Sequence, residues 1–176
     1  HHHILWSRQP AYRSCDYDKL LTEDRAVFEH FSHDAVILPI STYPYWKRQQ
    51  LRRAAQYKKA AWGKAMAGKY TREHILNHIG EHGPVCSRDF TIKGVKPAKK
   101  STQAWSRPAH KLVLDYLWLS GTLSVSHRTK FTKFYDLTER VIPKVYREVE
   151  ISKSEQINWL CETALNRLGV ATAIEI

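Results

Sequence analysis

A chain of 176 residues with 43% apolar content is long enough for one large domain or two small ones and too apolar for general disorder. It has no run near the roughly 20 uninterrupted apolar residues that a membrane span needs. Cys15, Cys86 and Cys161 are scattered, odd in number and without metal-ligand spacing, so they read as reduced thiols in a cytosolic protein. The net charge of +11 is unevenly spread: Lys47 to Lys133 holds nineteen Lys or Arg against four acids (Glu73, Glu81, Asp89, Asp115). A solvated face would mix signs at helical spacing. This segregation points to a polyanionic partner, most simply nucleic acid; an anionic membrane surface would need an apolar stripe that is not evident.

In chain order, residues 1–9 read as a helix around Ile4, Leu5 and Trp6, ended by Pro10. The opening HHH is either an affinity-tag stub or native sequence, since ILWSR follows with no linker, and the final RLGVATAIEI starts an element that stops short; both suggest a segment of something longer. Asp16 to Leu21 is a short helical turn. RAVFEHF (25–31) and AVILPI (35–40) are β-rich runs separated by Ser32, His33 and Asp34, hence a hairpin. Ser41 or Thr42 is then expected to cap a long helix from Trp46 through Met66, with Pro44 tolerated in its first turn.

Thr71, with Glu73 behind it, opens a helix through TREHILNHIGEH that Gly83 and Pro84 end, and Ser87 is expected to cap a short second helix, SRDF. After a loop containing VKPAKK, a third helix is expected from about Gln103 to Ser120, with Gly121 at its end. Leu123–Val125 and Phe131–Leu137 then alternate as a two-stranded ribbon, and TERVIP closes the unit. Helix, turn, helix, third helix and ribbon follow the order of a winged helix-turn-helix. SKSEQINWLCETALNRLG repeats the beginning, with Ser152 or Ser154 as cap, Ile157, Leu160, Ala164, Leu165 and Leu168 as a stripe, and ATAIEI as the start of another short helix.

The expected fold is therefore mainly α with small β-hairpins (α+β), built as tandem winged helix-turn-helix units, one complete and two partial. Residues 1–69 would be the end of a first unit plus a long basic helix, 70–147 the complete unit, and 148–176 the start of a third.

In such a unit the third helix enters the major groove and the ribbon reaches backbone or minor groove. The candidate DNA contacts are Arg107, His110 and Lys111 at the start of the third helix, Lys99 and Lys100 before it, and His127, Arg128, Lys130 and Lys133 on the wing. The lysines would supply salt-dependent backbone affinity more than sequence reading. Winged helices also serve as protein-interaction modules or as non-enzymatic transcription regulators, though no dimerisation helix or ligand domain is visible. His74, His78 and His82 fall at i, i+4, i+8, but neither an HExxH pattern nor a third ligand accompanies them, and a solvated or partner-facing stripe is the simpler reading. His33 and Asp34 share a turn, where a His beside a carboxylate can orient water or hold phosphate, or simply make a polar turn.

HHHILWSRQPAY, RAVFEHFSHDAVILPI, HILNHIGEHGPVCSRDF and KLVLDYLWLSGTLSVSHRTKFTKFYDLTERVIP together closely resemble the bacterial winged-helix DNA glycosylases of the YcaQ-like family, over nearly the whole chain. The resemblance implies three tandem winged helices around a basic channel and native His1–His3. It also implies metal-free, cofactor-free hydrolysis of the N-glycosidic bond of alkylated purines, with relatives acting on interstrand crosslinks. The partner would be damaged double-stranded DNA, bound by a monomer in the cytoplasm at the nucleoid. The family's catalytic Gln-x-Gln/Asp motif is expected before ILWSR, outside this sequence, and Gln9 stands in the wrong context for it. His33 and Asp34, with Trp6, Ser7, Arg8 and the wing, are the matching positions expected to line the channel.

Overall fold

The computed structural model describes residues 2–32, 34–57, 71–90 and 108–172. Among these, two helices, α1 (His2–Arg8) and α2 (Ser14–Thr22), lead into an antiparallel hairpin of β1 (Val27–Phe31) and β2 (Ala35–Pro39). Its register, Val27 opposite Pro39 through Phe31 opposite Ala35, places the expected hairpin correctly. A single 3-10 turn over Ile40–Thr42 passes straight into α3 (Tyr43–Tyr57), so Ser41 and Thr42 lie inside that turn rather than capping the helix, and the Thr42 hydroxyl donates to the Pro39 carbonyl.

Next come α4 (Arg72–His82) and α5 (Ala109–Leu119), then the ribbon of β3 (Leu123–Thr129) and β4 (Thr132–Leu137), two single-turn helices, α6 (Thr138–Val141) and α7 (Lys144–Arg147), and finally α8 (Lys153–Leu168). Helix α4 begins where Thr71 accepts the His74 N–H and ends at Gly83, whose φ of 82° only glycine adopts readily. Arg140 of α6 donates to the Ile79 and Gly80 carbonyls and so satisfies the last turn of α4. Helix α8 opens with a reciprocal capping box between Ser152 and Glu155.

The expected helix at SRDF is a turn instead. Asp89 accepts the Cys86 N–H at 2.7 Å, the bond that would open a helix, yet residues 87–90 form only a turn. Immediately before it, Val85 exchanges two backbone hydrogen bonds with Tyr135, an isolated bridge that ties the segment after α4 to the ribbon. Helix α5 begins at Ala109, after Pro108 in an extended conformation, and not at Gln103 as expected; residues 58–70, where the long helix was expected to continue, and the ATAIEI element from residue 173 on lie outside the described residues.

One core joins α2, α4, α5 and the ribbon. Tyr17 and Leu21 of α2, Ile75 and Ile79 of α4, Val113, Leu114 and Leu117 of α5, and Leu123 and Val125 of β3 are all buried in a single cluster. Complete burial of side chains this size contributes about 1.5–3 kcal/mol each. A smaller cluster joins Phe28, Ile40 and Tyr43 to Val141 and Ile142. The first hairpin is tied to α5 by reciprocal bonds, Trp118 Nε1 to the Glu29 carbonyl and His30 Nε2 to the Trp118 carbonyl, both at 3.2 Å. No helix among the described residues is long and apolar enough to cross a membrane.

Candidate nucleic-acid interface

The ribbon carries a defect that determines where its cations point. Val125 faces Tyr135 and His127 faces Phe134, so Ser126 is an extra residue and the strand bulges there. A bulge re-aims the side chains that follow it. Beyond this one, Arg128 turns inward. Its Nε lies 2.5 Å from Glu29 Oε1 and its Nη2 2.6 Å from Oε2, a fork-to-fork pair. The Glu29 side chain is only 1% exposed, and its Oε1 also accepts the Tyr17 hydroxyl. Burial and the adjoining carboxylate push the Tyr17 phenol well above its ordinary range, while the hydrogen bonds to Glu29 hold Arg128 more firmly protonated. With both oxygens engaged, Glu29 is not free to activate a water molecule; its part is to anchor the wing to the first hairpin.

Lys133, on the opposing strand, places Nζ 3.5 Å from the centre of the Trp118 ring, a cation–π contact in a partly desolvated position. Burial lowers its pKa to about 8, against the pull of Glu29. His127 stacks on Phe134 with ring centres 4.4 Å apart and meets the Ser126 hydroxyl at 2.8 Å through Nδ1; burial and Arg25 lower its pKa. Lys130 stands exposed at the hairpin tip with φ 57°.

Outside the ribbon, Lys111 is exposed on the first turn of α5, whereas His110 beside it is buried, held at the Ser87 backbone, with its pKa lowered chiefly by burial. Arg8 is exposed in the last turn of α1. Asp34 caps its own hairpin turn, accepting the Ala35 N–H at 2.9 Å. His33, Lys99, Lys100 and Arg107 lie outside the described residues. The structure thus brings Lys111 and Lys133 together with a cation the sequence reading missed, Arg88, around a cleft of about 690 Å³ between α5, β4 and the 87–90 turn. Leu114 and Tyr135 supply apolar surface and Phe131 forms part of the wall. Arg88 Nη2 donates to the Thr132 hydroxyl at 2.7 Å.

Glu29 was the other omission. Its one sequence signal is an acid in the middle of the strand VFEHF, flanked on both sides by residues that a strand would bury. His30, next to it, is buried between Trp46 and Trp118, and burial drives its pKa down to about 4, so the ring is neutral at physiological pH. On α4, His78 and His82 stack face to face, 4.3 Å apart, and His78 meets Phe90 edge-on. Among the described residues no group of three His, Cys, Asp or Glu is placed to hold a metal.

A family model described as DNA glycosylase AlkZ-like matches the chain across residues 1–176. No solved structure matches it.

Proposed function

The chain belongs to the AlkZ-like DNA glycosylase family, and from that premise we propose that it is the DNA-gripping part of a repair glycosylase that hydrolyses the N-glycosidic bond of alkylated purines and unhooks interstrand crosslinks. It acts as a monomer on damaged double-stranded DNA in the cytoplasm, at the nucleoid, through tandem winged-helix units of which residues 70–147 are the complete one. Residues 1–69 end the preceding unit and 148–176 begin the next.

The observation that carries the proposal is the full-length family match. It is supported by the cleft beside the ribbon, where the cations Arg88, Lys111 and Lys133 outnumber the one lining acid, Asp115. The order α4, turn, α5, β3, β4, with Val85 bridged to β4, is consistent with a winged helix. Lys111 and Lys130 contact phosphates, and Arg8, Arg107, Lys99 and Lys100 extend the track. His127 contributes from the wing, and His110 orders the start of α5 from its buried place. Arg128 serves binding indirectly, by keeping the prong rigid.

Glycosidic cleavage requires a water held near the anomeric carbon and electrostatic support for the oxocarbenium-like sugar as the base departs. Glu29 is committed to Arg128 and Tyr17, so the water is oriented elsewhere. His33 and Asp34 are the candidates within this chain, and the Gln-x-Gln/Asp pair that the family resemblance implies before ILWSR would supply the principal contact. Incubation of a duplex carrying N7-methylguanine with the chain extended at its N-terminus through that motif tests this: free 7-methylguanine is the expected product. No release under conditions where the duplex is bound would overturn the glycosylase assignment.

A further inference from the structure

One of the cations along the cleft is placed for chemistry that the other two are not. Lys111 stands exposed, and the exposed Arg88 is tied to the Thr132 hydroxyl. Lys133 instead lies half-buried against α5, its Nζ 3.5 Å from the centre of the Trp118 ring, and that ring is itself only 5% exposed. Its stem shares the cleft wall with Leu114 and Tyr135, which give the site an apolar side.

The charged groups facing Lys133 do not restore what burial takes away. Arg128 sits directly opposite it across the ribbon and disfavours the ammonium, as burial does. Glu29 and Asp115 pull the other way, but both Glu29 oxygens are engaged by Arg128 and Tyr17. A lysine desolvated beside another cation is the setting in which its amine becomes a nucleophile. With a pKa of about 8, roughly a tenth of the amine is uncharged at pH 7, against roughly one part in a few thousand for an ordinary lysine.

We propose that Lys133 captures the sugar left behind by base release, through a Schiff base between Nζ and the C1′ aldehyde of an abasic site. The cleft, of about 690 Å³, admits a sugar with its phosphate, and Arg88 and Lys111 line it as phosphate partners. The abasic sugar opens to its aldehyde, and the uncharged amine attacks C1′. The N–C bond forms as the carbonyl π pair moves to oxygen, and that oxygen then leaves as water to give the protonated imine. Addition of water reverses the sequence and returns lysine and aldehyde, so no oxidant or reductant is consumed. The link holds a reactive product on the protein. It rests on the glycosylase reading above for the origin of its substrate, and adds a second chemical step on the DNA-binding face.

A duplex carrying one natural abasic site, bound at saturation and treated with cyanoborohydride, tests it, because that reagent reduces the imine to a stable secondary amine. Wild type should give a protein–DNA adduct that survives denaturing electrophoresis, and peptide mass spectrometry should place the link on Lys133. Lys133→Arg keeps a cation over the Trp118 face but is not a nucleophile, so at equal occupancy it should lower the adduct at least about tenfold, with the thermal midpoint unchanged. A link mapped to the terminal amine or to another lysine would overturn the proposal, as would a Lys133→Arg adduct equal to that of wild type. A wild-type complex that binds the duplex and gives no adduct would overturn it too. Because the abasic site is supplied ready-made, this result is read separately from the release of 7-methylguanine, on which the glycosylase assignment stands. Absence of any duplex binding would overturn the DNA-binding reading and the capture with it.

Discussion

Replacing Glu29 with Ala leaves the Arg128 guanidinium buried without its counter-ion and deprives the Tyr17 hydroxyl of its acceptor. Both side chains of the pair are well shielded, Glu29 at 1% and Arg128 at 16% exposure, so solvent screening offers little relief. Removing one partner of such a pair costs about 3–5 kcal/mol, a large share of the roughly 5–15 kcal/mol that keeps a domain folded. At about 2–4 °C per kcal/mol for a chain of this size, the thermal midpoint should fall by roughly 6–20 °C. Arg128→Ala should cost a similar amount, by stranding the carboxylate. The double variant Glu29→Ala/Arg128→Ala, which removes both charges, should cost clearly less than the two single losses combined, giving a coupling energy on the order of 2–3 kcal/mol. Urea unfolding followed by circular dichroism, with the denaturant slope unchanged, measures all four corners of the cycle. Single variants costing less than about 1 kcal/mol, or losses that simply add, would refute the idea that this pair fastens the wing.

Two further consequences concern stability. His30 has a folded-state pKa of about 4 against an ordinary value of 6.5, so the unfolded chain binds the extra proton as pH falls through that window and stability is lost from pH 6.5 downward; the loss approaches about 3 kcal/mol by pH 4, and His30→Phe should abolish that part of the acid titration measured by urea midpoints. Gly121 takes φ 78°, and a Cβ there would lie 2.4 Å from the Oε1 of the buried Gln50; Gly121→Ala should cost about 2–3 kcal/mol in urea unfolding, and Gln50→Ala in the same chain should recover the steric part while leaving the backbone strain.

Local features of this fold were legible from sequence wherever the stabilising partner is close in the chain. Thr71, Gly83, Ser152 and Gly169 bound their helices as expected, because caps act within one turn. The first hairpin followed from alternation and turn residues, while the second was found by alternation alone and with its tip misplaced: β3 runs on to Thr129, and Phe131, expected in the second strand, is in the loop. SRDF shows the limit of such local signals: Asp89 accepts the Cys86 N–H as a capping residue would, yet residues 87–90 close as a turn. The site was only partly legible. Charge segregation pointed to the ribbon and the start of α5, and Lys111, Lys130 and Lys133 do lie on or beside the cleft. The division of labour among the cations was not readable. Arg128 and Lys130 look alike in HRTK, yet Arg128 pairs with a carboxylate ninety-nine positions away and Lys130 faces solvent. A bulge at Ser126, invisible to a period-two pattern, separates the two roles.

In the function proposed above, the face carrying Arg88, Lys111 and Lys130 grips duplex phosphates. The most direct measurement is the salt dependence of affinity for a random duplex, read as the slope of log K against log salt concentration. Lys111→Ala and Lys130→Ala should each reduce that slope by about 0.9, with thermal midpoints unchanged, whereas Lys153→Ala on α8 should leave it as in wild type. Slopes that stay the same for Lys111→Ala and Lys130→Ala, or that fall only for Lys153→Ala, would contradict the claim and move the DNA to another face.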